Sequence, residues 1–337
     1  MIGLDWGSKF IKACRVLPKS DGKYIVYASM VSADGKDGER EENPLLLKNK
    51  VNNLLRQLRV QNRETALSVG GIDLLARDFS LPQMAPENVE GAVMIEAENS
   101  IFETLDEMYS DFEILSEPES DKLDVLFVAS PKDHINHMLD SFSQSELDIM
   151  KVTADNIALA NCFLALEERR AFAESVVLVN IGHEVSNIAI VDRGRLRFIR
   201  NVAFGGLDVT REIAGIYEVD FETAEQIKRQ PEIWESIGLN IKNILKKSSS
   251  NLLEAIFRSM EHSVSRQKTG KIDKILLTGG GAILKGIDRF IFETLGINTE
   301  TWNPLASEDI IGVTDKDKGF FAAIALGLAL QKGEDNV

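Results

Sequence analysis

Three glycine-bearing segments of this chain have the composition of phosphate-binding loops. They lie at residues 5–8 (Asp-Trp-Gly-Ser), at residues 180–182 (Asn-Ile-Gly) with Gly205 and Gly206, and at residues 277–282 (Leu-Thr-Gly-Gly-Gly-Ala). Each segment follows a short apolar run. Glycine allows left-handed backbone angles and lets main-chain N–H groups approach a phosphate closely. The first two segments therefore predict a duplicated phosphate-binding hairpin, and two such hairpins could hold one nucleotide between them.

The composition and charge of the chain argue against several classes of protein. Its 337 residues are 44% hydrophobic and 27% charged, which is ordinary globular composition and enough for two or three compact units. The formal net charge is −15, and no basic stripe is present that could bind a nucleic-acid backbone. The apolar run 320–330 is shorter than the ~20 residues of a spanning helix, so we expect neither export nor membrane insertion.

The cysteines and paired histidines give no sign of a redox or metal site. Cys14 and Cys162 both lie inside apolar segments, which predicts buried thiols. His134 and His137 could share one face of a helix, but their neighbourhood does not supply the further ligands that a metal site needs. We therefore expect both histidines to be structural.

The hydrophobic pattern predicts the same order of elements in both halves of the chain. In the first half, strands are predicted at 2–5, 10–16 and 24–31, then a helix near 46–58 and a strand at 65–69. The second half repeats the meander at 176–179, 186–191 and 196–201. Further helices are predicted at 152–166, 210–217, 223–228, 236–268, 283–294 and 319–330, with a strand at 275–277. The predicted fold class is α/β, with two duplicated ribonuclease-H-like lobes.

An inserted α+β subdomain is predicted at residues 77–150. Residues 87–124 contain thirteen acidic side chains and one basic side chain, Lys122. This acidity is either a solvated face or a docking surface for a basic peptide, and the sequence favours neither. Around the insert we predict a first lobe at 1–76 with 151–173 and the C-terminal helix 315–337. The second lobe is predicted at 174–314.

Taken together, these segments resemble the actin, Hsp70 and FtsA superfamily and, within it, the PilM proteins of type IV pilus assembly. The resemblance covers nearly the whole chain and implies the actin-like ATPase fold with an inserted subdomain. Residues 81–84, 93–98, 101–102 and 111–112 resemble the PilM segment that replaces the actin insertion. FtsA has a comparable insertion but ends in an amphipathic membrane-binding helix, whereas the acidic tail 331–337 would be repelled by anionic lipid.

The resemblance implies a role for each matched residue. Asp5 corresponds to the aspartate that holds magnesium through water, and Lys12 to the lysine that reaches the β-phosphate. Glu225 and Lys228 resemble an Ala-Glu-x-x-Lys element beside the ribose and base. The implied cofactors are ATP and Mg²⁺. The residues expected to contact the nucleotide are Gly7, Ser8, Lys12, Gly182, Ser186, Gly205, Gly206, Glu225, Lys228, Gly279, Gly280 and Gly281.

Two positions depart from the superfamily pattern, which usually has aspartate at Asn180 and threonine at Ser186. Serine keeps the hydroxyl, but the amide removes an anionic acceptor beside the γ-phosphate, so we expect weak or no hydrolysis while binding survives. Asp155 corresponds to a carboxylate or glutamine near the metal-bound water and is the candidate catalytic residue. His183 either touches a phosphate or is an ordinary loop histidine.

Two classes of function follow from the resemblance. The first is a cytoplasmic nucleotide-binding scaffold of pilus assembly, held at the inner membrane because its insert docks the cytoplasmic tail of a PilN-like protein. Motor ATPases of the pilus and self-association through the insert are further partners that the resemblance allows. The alternative is an active ATPase, a small-molecule kinase or an FtsA-like cell-division protein. A kinase needs a catalytic base that faces an acceptor, and Asn180 cannot serve as one.

Overall fold

The structure of the chain is a computed structural model that describes residues 1–34, 42–60, 62–101, 104–116, 120–266, 271–313 and 316–331. Phe102, which belongs to the predicted insert, and residues 332–337 of the predicted acidic tail lie outside the described residues.

The strands and helices of the described residues are numbered separately in chain order. The strands are β1 (Ile2–Trp6), β2 (Phe10–Pro18), β3 (Tyr24–Ser32), β4 (Glu64–Val69), β5 (Leu75–Pro82), β6 (Met108–Ile114), β7 (Lys122–Pro131), β8 (Asp148–Ala154), β9 (Ser175–Ile181), β10 (Ser186–Asp192), β11 (Arg195–Val202), β12 (Lys274–Thr278), β13 (Thr299–Thr301) and β14 (Ile310–Val313). The helices are α1 (Pro44–Gln57), α2 (Pro86–Ser100), α3 (Lys132–Ser141), α4 (Asp155–Leu166), α5 (Glu168–Ala173), α6 (Gly206–Tyr217), α7 (Phe221–Arg229), α8 (Ile241–Ser248), α9 (Ser250–Arg266), α10 (Ile287–Leu295) and α11 (Gly319–Leu330).

Two of the sheets share one design. The first has the strand order β14-β3-β2-β1-β4-β8 and the second has the order β11-β10-β9-β12-β13. In each, an antiparallel meander of three strands continues into two parallel strands, which follow β1 in one sheet and β9 in the other. The duplicated lobes predicted from the sequence are therefore present.

The third sheet, with the order β5-β7-β6, is antiparallel and is formed by the predicted insert 77–150, except that β5 begins two residues earlier, at Leu75. Its apolar face packs against α2, where Val93 and Ala97 are fully buried against Phe79 and Phe127. Helix α3 follows this sheet in the chain, but its buried residues Ile135 and Met138, together with Phe142 directly after the helix, join the core of the first lobe.

Helices α4 and α11 pack between the two large sheets. Leu159 and Phe163 of α4 and Leu326 of α11 share one apolar core with residues of β2 and β9. The two helices approach closely because Gly327 has no side chain, and a Cβ at this position would overlap the carbonyl oxygen of Ala158. This pair of helices joins the lobes at the base of the space between them.

Three predicted helices have different bounds in the structure. The helix predicted at 152–166 begins at Asp155, because Val152 and Thr153 pair with β4 as part of strand β8. The helix predicted at 236–268 is two helices, α8 and α9. The Asn240 side chain caps the start of α8, and the helical conformation is interrupted at Ser249. The helix predicted at 283–294 begins only at Ile287, after a left-handed Gly286.

Candidate nucleotide-binding site

A cavity of about 650 Å³ lies between the two lobes. Its volume falls within the range of about 300–1,000 Å³ typical of small-molecule sites. The residues predicted from the sequence that line this cavity are Asp5, Gly7, Ser8, Lys12, Asp155, Gly182, Gly205, Gly206, Glu225, Lys228, Gly280 and Gly281. Ser186 and Gly279 are not among the lining residues.

The hairpin of β1 and β2 places Asp5 opposite Lys12, as antiparallel pairing requires. The Lys12 ammonium donates to Asp5 Oδ2 at 2.6 Å, and the two side chains are 18% and 5% exposed. Gly7 closes the turn by donating its backbone N–H to Phe10 O, and a Cβ at Gly7 would lie only 2.9 Å from Lys12 Nζ. The glycine thus leaves the space in which the ammonium sits, with one carboxylate and one ammonium at the cavity wall.

The second hairpin, between β9 and β10, is tied to the start of α6. Gly206 N donates to Gly182 O at 3.0 Å, and Leu207 N donates to His183 O at 2.8 Å. Gly205 makes this contact possible, because any Cβ there would overlap the backbone of His183. The arrangement brings the amino-terminal end of α6 to the cavity, and such helix ends favour phosphate groups.

Ser186 has a different role from the one predicted for it. Its side chain is fully buried, and its hydroxyl donates to Phe204 O at 2.8 Å. The hydroxyl therefore holds β10 against the segment that leads into α6. Gly279 also acts through packing, since it has φ +86° and a Cβ there would overlap Ile181 O.

Lys228 and Glu225 on α7 form a hydrogen-bonded group with Thr210, which the sequence did not single out. Lys228 Nζ donates to Glu225 Oε2 at 2.6 Å, to Thr210 Oγ1 at 2.7 Å and to Gly206 O at 2.9 Å. All three ammonium protons are thereby used. The group holds the first turn of α6 in place at the cavity.

The pKa values of this pair reflect burial opposed by pairing. Burial lowers the pKa of Lys228 below its ordinary value, although the Glu225 carboxylate acts in the opposite direction. Burial also acts to raise the pKa of Glu225, but hydrogen bonds from Lys228 and Thr210 outweigh it, so this pKa is lower than usual. Both directions follow from moving charges out of water and then pairing them.

Asp155, the first residue of α4, lies at the cavity wall beside the turn that follows β4. A Cβ at Gly70 would overlap the Asp155 carboxylate, so this glycine permits the close approach. Asn180, at the end of β9, also lines the cavity, and its Nδ2 donates to Asn187 Oδ1 at 2.9 Å. The two positions discussed for hydrolysis are therefore on the same cavity.

Several cavity residues were not predicted as nucleotide contacts. The additional basic side chains are Lys9, His134, Arg229 and Lys285. Lys9 directly follows Ser8, and Lys285 follows the three-glycine turn. Their positions next to these motifs could have identified both lysines as candidate cavity residues. His134 lies on α3, far from any glycine motif; we expected it to be structural, and no sequence signal placed it at this cavity. His183 also lines the cavity, and burial lowers the pKa of its imidazole.

The chain matches a known family over nearly its whole length. Residues 3–333 match the family described as type IV pilus assembly protein PilM. The chain belongs to this PilM family. The resemblance predicted from the loops and the insert is thereby confirmed. A more distant relative is the cell division protein FtsA of Bacillus subtilis (strain 168), which is 25% identical over 207 residues. That match spans 56% of this chain and 46% of FtsA, so the chain corresponds to about half the length of that relative.

Solved structures share the fold of this PilM family member. A chain of the PilM-PilN type IV pilus biogenesis complex is 24% identical, with a TM-score of 0.78 over 98% of this chain and 97% of the other. The ethanolamine utilization protein EutJ of Carboxydothermus hydrogenoformans is 14% identical, with a TM-score of 0.55 over 98% and 88% of the two chains. MreB 5 of Spiroplasma citri, bound to AMPPNP, is 10% identical, with a TM-score of 0.51 over 97% and 93%. These likenesses confirm the actin-like ATPase fold.

Among the residues that the structure describes, no helix is both long and apolar enough to cross a membrane.

Proposed function

We propose that this chain is a nucleotide-binding scaffold of type IV pilus assembly that holds Mg²⁺-ATP between its lobes. The observation that carries the proposal is the convergence of both glycine hairpins, the start of α6 and the three-glycine turn on one cavity of about 650 Å³. The backbone can approach a ligand closely there, because side chains are missing at Gly7, Gly182, Gly205 and Gly206. Such a wall suits a polyphosphate.

The residues present fit ATP and magnesium. Lys12 would reach a phosphate oxygen, and the nearly buried Asp5 carboxylate would hold the metal ion through water. Backbone N–H groups of the second hairpin would bind phosphate at the start of α6. Glu225 and Lys228 lie on the side proposed for the ribose, with Gly280 and Gly281 beside the adenosine. We assign no direct nucleotide contact to Ser186 or Gly279, because both already serve the packing of the site.

We propose that hydrolysis is weak or absent. Asn180 is neutral, so it attracts the proton of an attacking water less strongly than an aspartate would. Bound nucleotide can still act as a structural cofactor, since a ligand at 100 times its Kd stabilises the folded state by about 2.7 kcal/mol. The metal ion would supply charge neutralisation for the phosphates when bound.

The second part of the proposal concerns the partner. A groove of about 860 Å³ lies between β6 of the insert, β8 of the first lobe and the end of α11. Strands β6 and β8 are both edge strands, which offer backbone hydrogen bonds to an added extended segment. Exposed Asp111 and Glu113 line the groove on β6. We propose that the cytoplasmic tail of a PilN-like inner-membrane protein docks there and holds the chain at the membrane.

The nucleotide proposal is tested by thermal unfolding with and without Mg²⁺-ATP. We expect the nucleotide to raise the Tm, and we expect Asp5→Ala and Lys12→Ala to abolish the increase. Phosphate release should remain near background. An unchanged Tm at saturating Mg²⁺-ATP, with no binding by calorimetry, would refute nucleotide binding.

The docking proposal is tested with a fluorescent peptide that carries the N-terminal sequence of the PilN-like protein. The double variant Asp111→Asn with Glu113→Gln should weaken binding and reduce its dependence on salt. The matched control is Glu87→Gln with Glu90→Gln, which removes two exposed carboxylates from α2 of the same insert. Equal effects of the two double variants, or an affinity that ignores salt, would rule out electrostatic docking in the groove.

The alternative function is an active ATPase, and one observation favours it. Asp155 is a carboxylate at the cavity wall, where it could accept a proton from water. Phosphate release that is well above background and is lost in Asp155→Asn would establish this alternative.

A further inference from the structure

Three asparagine side chains form a hydrogen-bonded row across the meander of the second lobe. Asn180 Nδ2 donates to Asn187 Oδ1 at 2.9 Å, Asn187 Nδ2 donates to Asn201 Oδ1 at 3.2 Å, and Asn201 Nδ2 donates to Gly71 O at 2.5 Å. The three asparagines are direct neighbours in β9, β10 and β11. The row begins at the nucleotide cavity and ends on the turn between β4 and β5, where the chain passes from the first lobe into the insert.

The direction of every hydrogen bond in the row is set by its last member. A side-chain amide donates only through Nδ2 and accepts only at Oδ1, whereas a backbone carbonyl can only accept. Asn201 must therefore turn its Nδ2 towards Gly71 O, which leaves its Oδ1 to accept from Asn187. Asn187 in turn presents Oδ1 to Asn180. One carbonyl on the turn thus fixes the orientation of an amide at the cavity.

The turn that ends the row also contacts the candidate catalytic carboxylate. Gly70 lies so close to Asp155 that a Cβ there would overlap it, and both Gly70 and Gly71 line the cavity. Two groups of the nucleotide site, the Asn180 amide and the Asp155 carboxylate, are therefore connected to a single turn of two glycines.

We propose that Asn187 and Asn201 are positioning residues that hold the Asn180 amide in one orientation at the nucleotide and transmit its state to the Gly71 turn. This inference rests on the proposed nucleotide binding. Asn201 does not line the cavity and acts only through the next amide in the row, whereas Asn187 also lines the cavity.

Two further contacts place the insert where it can respond. His262 Nε2 of α9 lies 2.6 Å from Asp78 Oδ2 of β5, and Arg197 Nη1 of β11 donates to Leu115 O at 3.2 Å. The second lobe therefore contacts the insert beyond the turn as well as at it. A shift of β11 relative to Gly71 would therefore change the position of β5, which begins four residues after Gly71.

The row can be tested without nucleotide by NMR of the deuterated, ¹⁵N-labelled full chain. The reporter is the backbone amide of Ile72, which shares a peptide group with the Gly71 carbonyl. Asn180→Asp removes the first donor, so no orientation of the other two amides can satisfy the whole row. We expect it to shift the Ile72 resonance in the same direction as Asn201→Ala does, although residue 180 makes no hydrogen bond to the turn.

The matched control is Asn156→Ala. Asn156 of α4 is buried and donates to Ile188 O at 3.0 Å and to Arg200 O at 2.9 Å. These carbonyls belong to β10 and β11, the strands that carry Asn187 and Asn201, but they are not part of the row. The loss of Asn156 should lower the Tm and leave the Ile72 amide in place. An Ile72 resonance that ignores Asn180→Asp, or that responds equally to Asn156→Ala, would overturn the inference.

A second experiment adds Mg²⁺-ATP. In the unsubstituted chain we expect the Ile72 amide to shift on saturation, and in Asn201→Ala, which changes no residue of the cavity lining, we expect that shift to be lost and the affinity to fall about fivefold or more, the lower end of ordinary coupling between sites. Equal affinity and an equal shift in both proteins would refute the proposal that the row couples the nucleotide site to the Gly71 turn. Failure of the unsubstituted chain to bind Mg²⁺-ATP would refute the proposed function instead, while the nucleotide-free comparison still decides whether the row transmits.

Discussion

The two adjacent glycines of the second phosphate loop should respond very differently to the same substitution: alanine should be destabilising at Gly205 and nearly neutral at Gly206. An alanine Cβ at Gly205 would overlap the carbonyl group of His183 and lie 2.6 Å from the backbone nitrogen of Glu184. At Gly206 the nearest atom would be Lys228 Nζ at 3.4 Å, the far end of a flexible side chain, followed by Gly182 O at 3.7 Å. The sequence motif treats the two positions alike, whereas the packing separates them.

The magnitude for Gly205→Ala follows from the backbone it would displace. Since neighbouring backbone atoms cannot rotate away, the loop must move by about 1 Å, and overpacking of this kind costs roughly 1–3 kcal/mol. That corresponds to a fall in Tm of roughly 2–12 °C for a unit of 150–250 residues. The same movement displaces the phosphate-binding N–H groups, so we expect Mg²⁺-ATP to bind about tenfold more weakly, or worse. Gly206→Ala should change stability by less than about 0.5 kcal/mol.

Both quantities are measured by calorimetry. Differential scanning calorimetry gives the Tm, and isothermal titration with Mg²⁺-ATP gives the affinity. Each variant is compared with the unsubstituted chain at the same pH and salt concentration. If Gly205→Ala keeps the original Tm and affinity, or if Gly206→Ala loses as much as Gly205→Ala does, then packing does not distinguish the two glycines and the reasoning fails.

Three further predictions concern single side chains of the site. Because burial lowers the pKa of His183 below its ordinary 6.5, the unfolded chain takes up this proton more readily, so nucleotide-free protein should lose stability as the pH falls below 6.5, and urea unfolding of His183→Gln should show a weaker dependence. Lys228→Met should cost roughly 1–2 kcal/mol in urea unfolding, since Gly206 O and Thr210 lose a donor while the Glu225 carboxylate keeps Arg229 and Thr210 as partners, and adding Glu225→Gln should recover part of the loss. Asn180→Asp should lower the Tm, because a carboxylate cannot donate to Asn187, and should raise phosphate release above background, because it restores the anionic acceptor beside the γ-phosphate; unchanged release at an unchanged Tm would contradict this.

The parts of the fold that could be predicted are those with a strong local signal. The strands of the two meanders are short apolar or alternating runs with turn residues at their ends, so they were placed correctly. Strand β8 had no such signal, because it ends at Ala154 and α4 begins at the very next residue, Asp155, so no turn residues separate the strand from the helix. Its identity as a strand is decided by pairing with β4, which is a tertiary effect that overrides local propensity. Strand β6, mostly exposed at the edge of its sheet, was missed for the same reason.

The site was predictable in its composition but less so in the role of each residue. Glycines and lysines of the loops were found because the resemblance names them, and most of them line one cavity. Whether a glycine faces the cavity or permits packing behind it depends on which backbone lies opposite, and Gly279 is an example of the second case. His134 reaches the cavity only because α3 packs against the first lobe, which nothing in its own segment indicates.

The asparagine row shows most clearly why local reasoning stops short of the site. At the tip of the β10–β11 hairpin, Asp192 lies opposite Arg195 and Val191 lies opposite Leu196. Continued without interruption, that register would set Arg200 opposite Asn187. The register instead shifts by one residue beyond Val191, so that Asn201 faces Asn187. A one-residue shift exchanges the two faces of a strand, and bulges of this kind are a recognised way to redirect side chains near functional sites. The connection from the nucleotide cavity to Gly71 therefore depends on one irregular position in β11, and shortening the strand there by a residue would disconnect it while leaving every glycine motif intact.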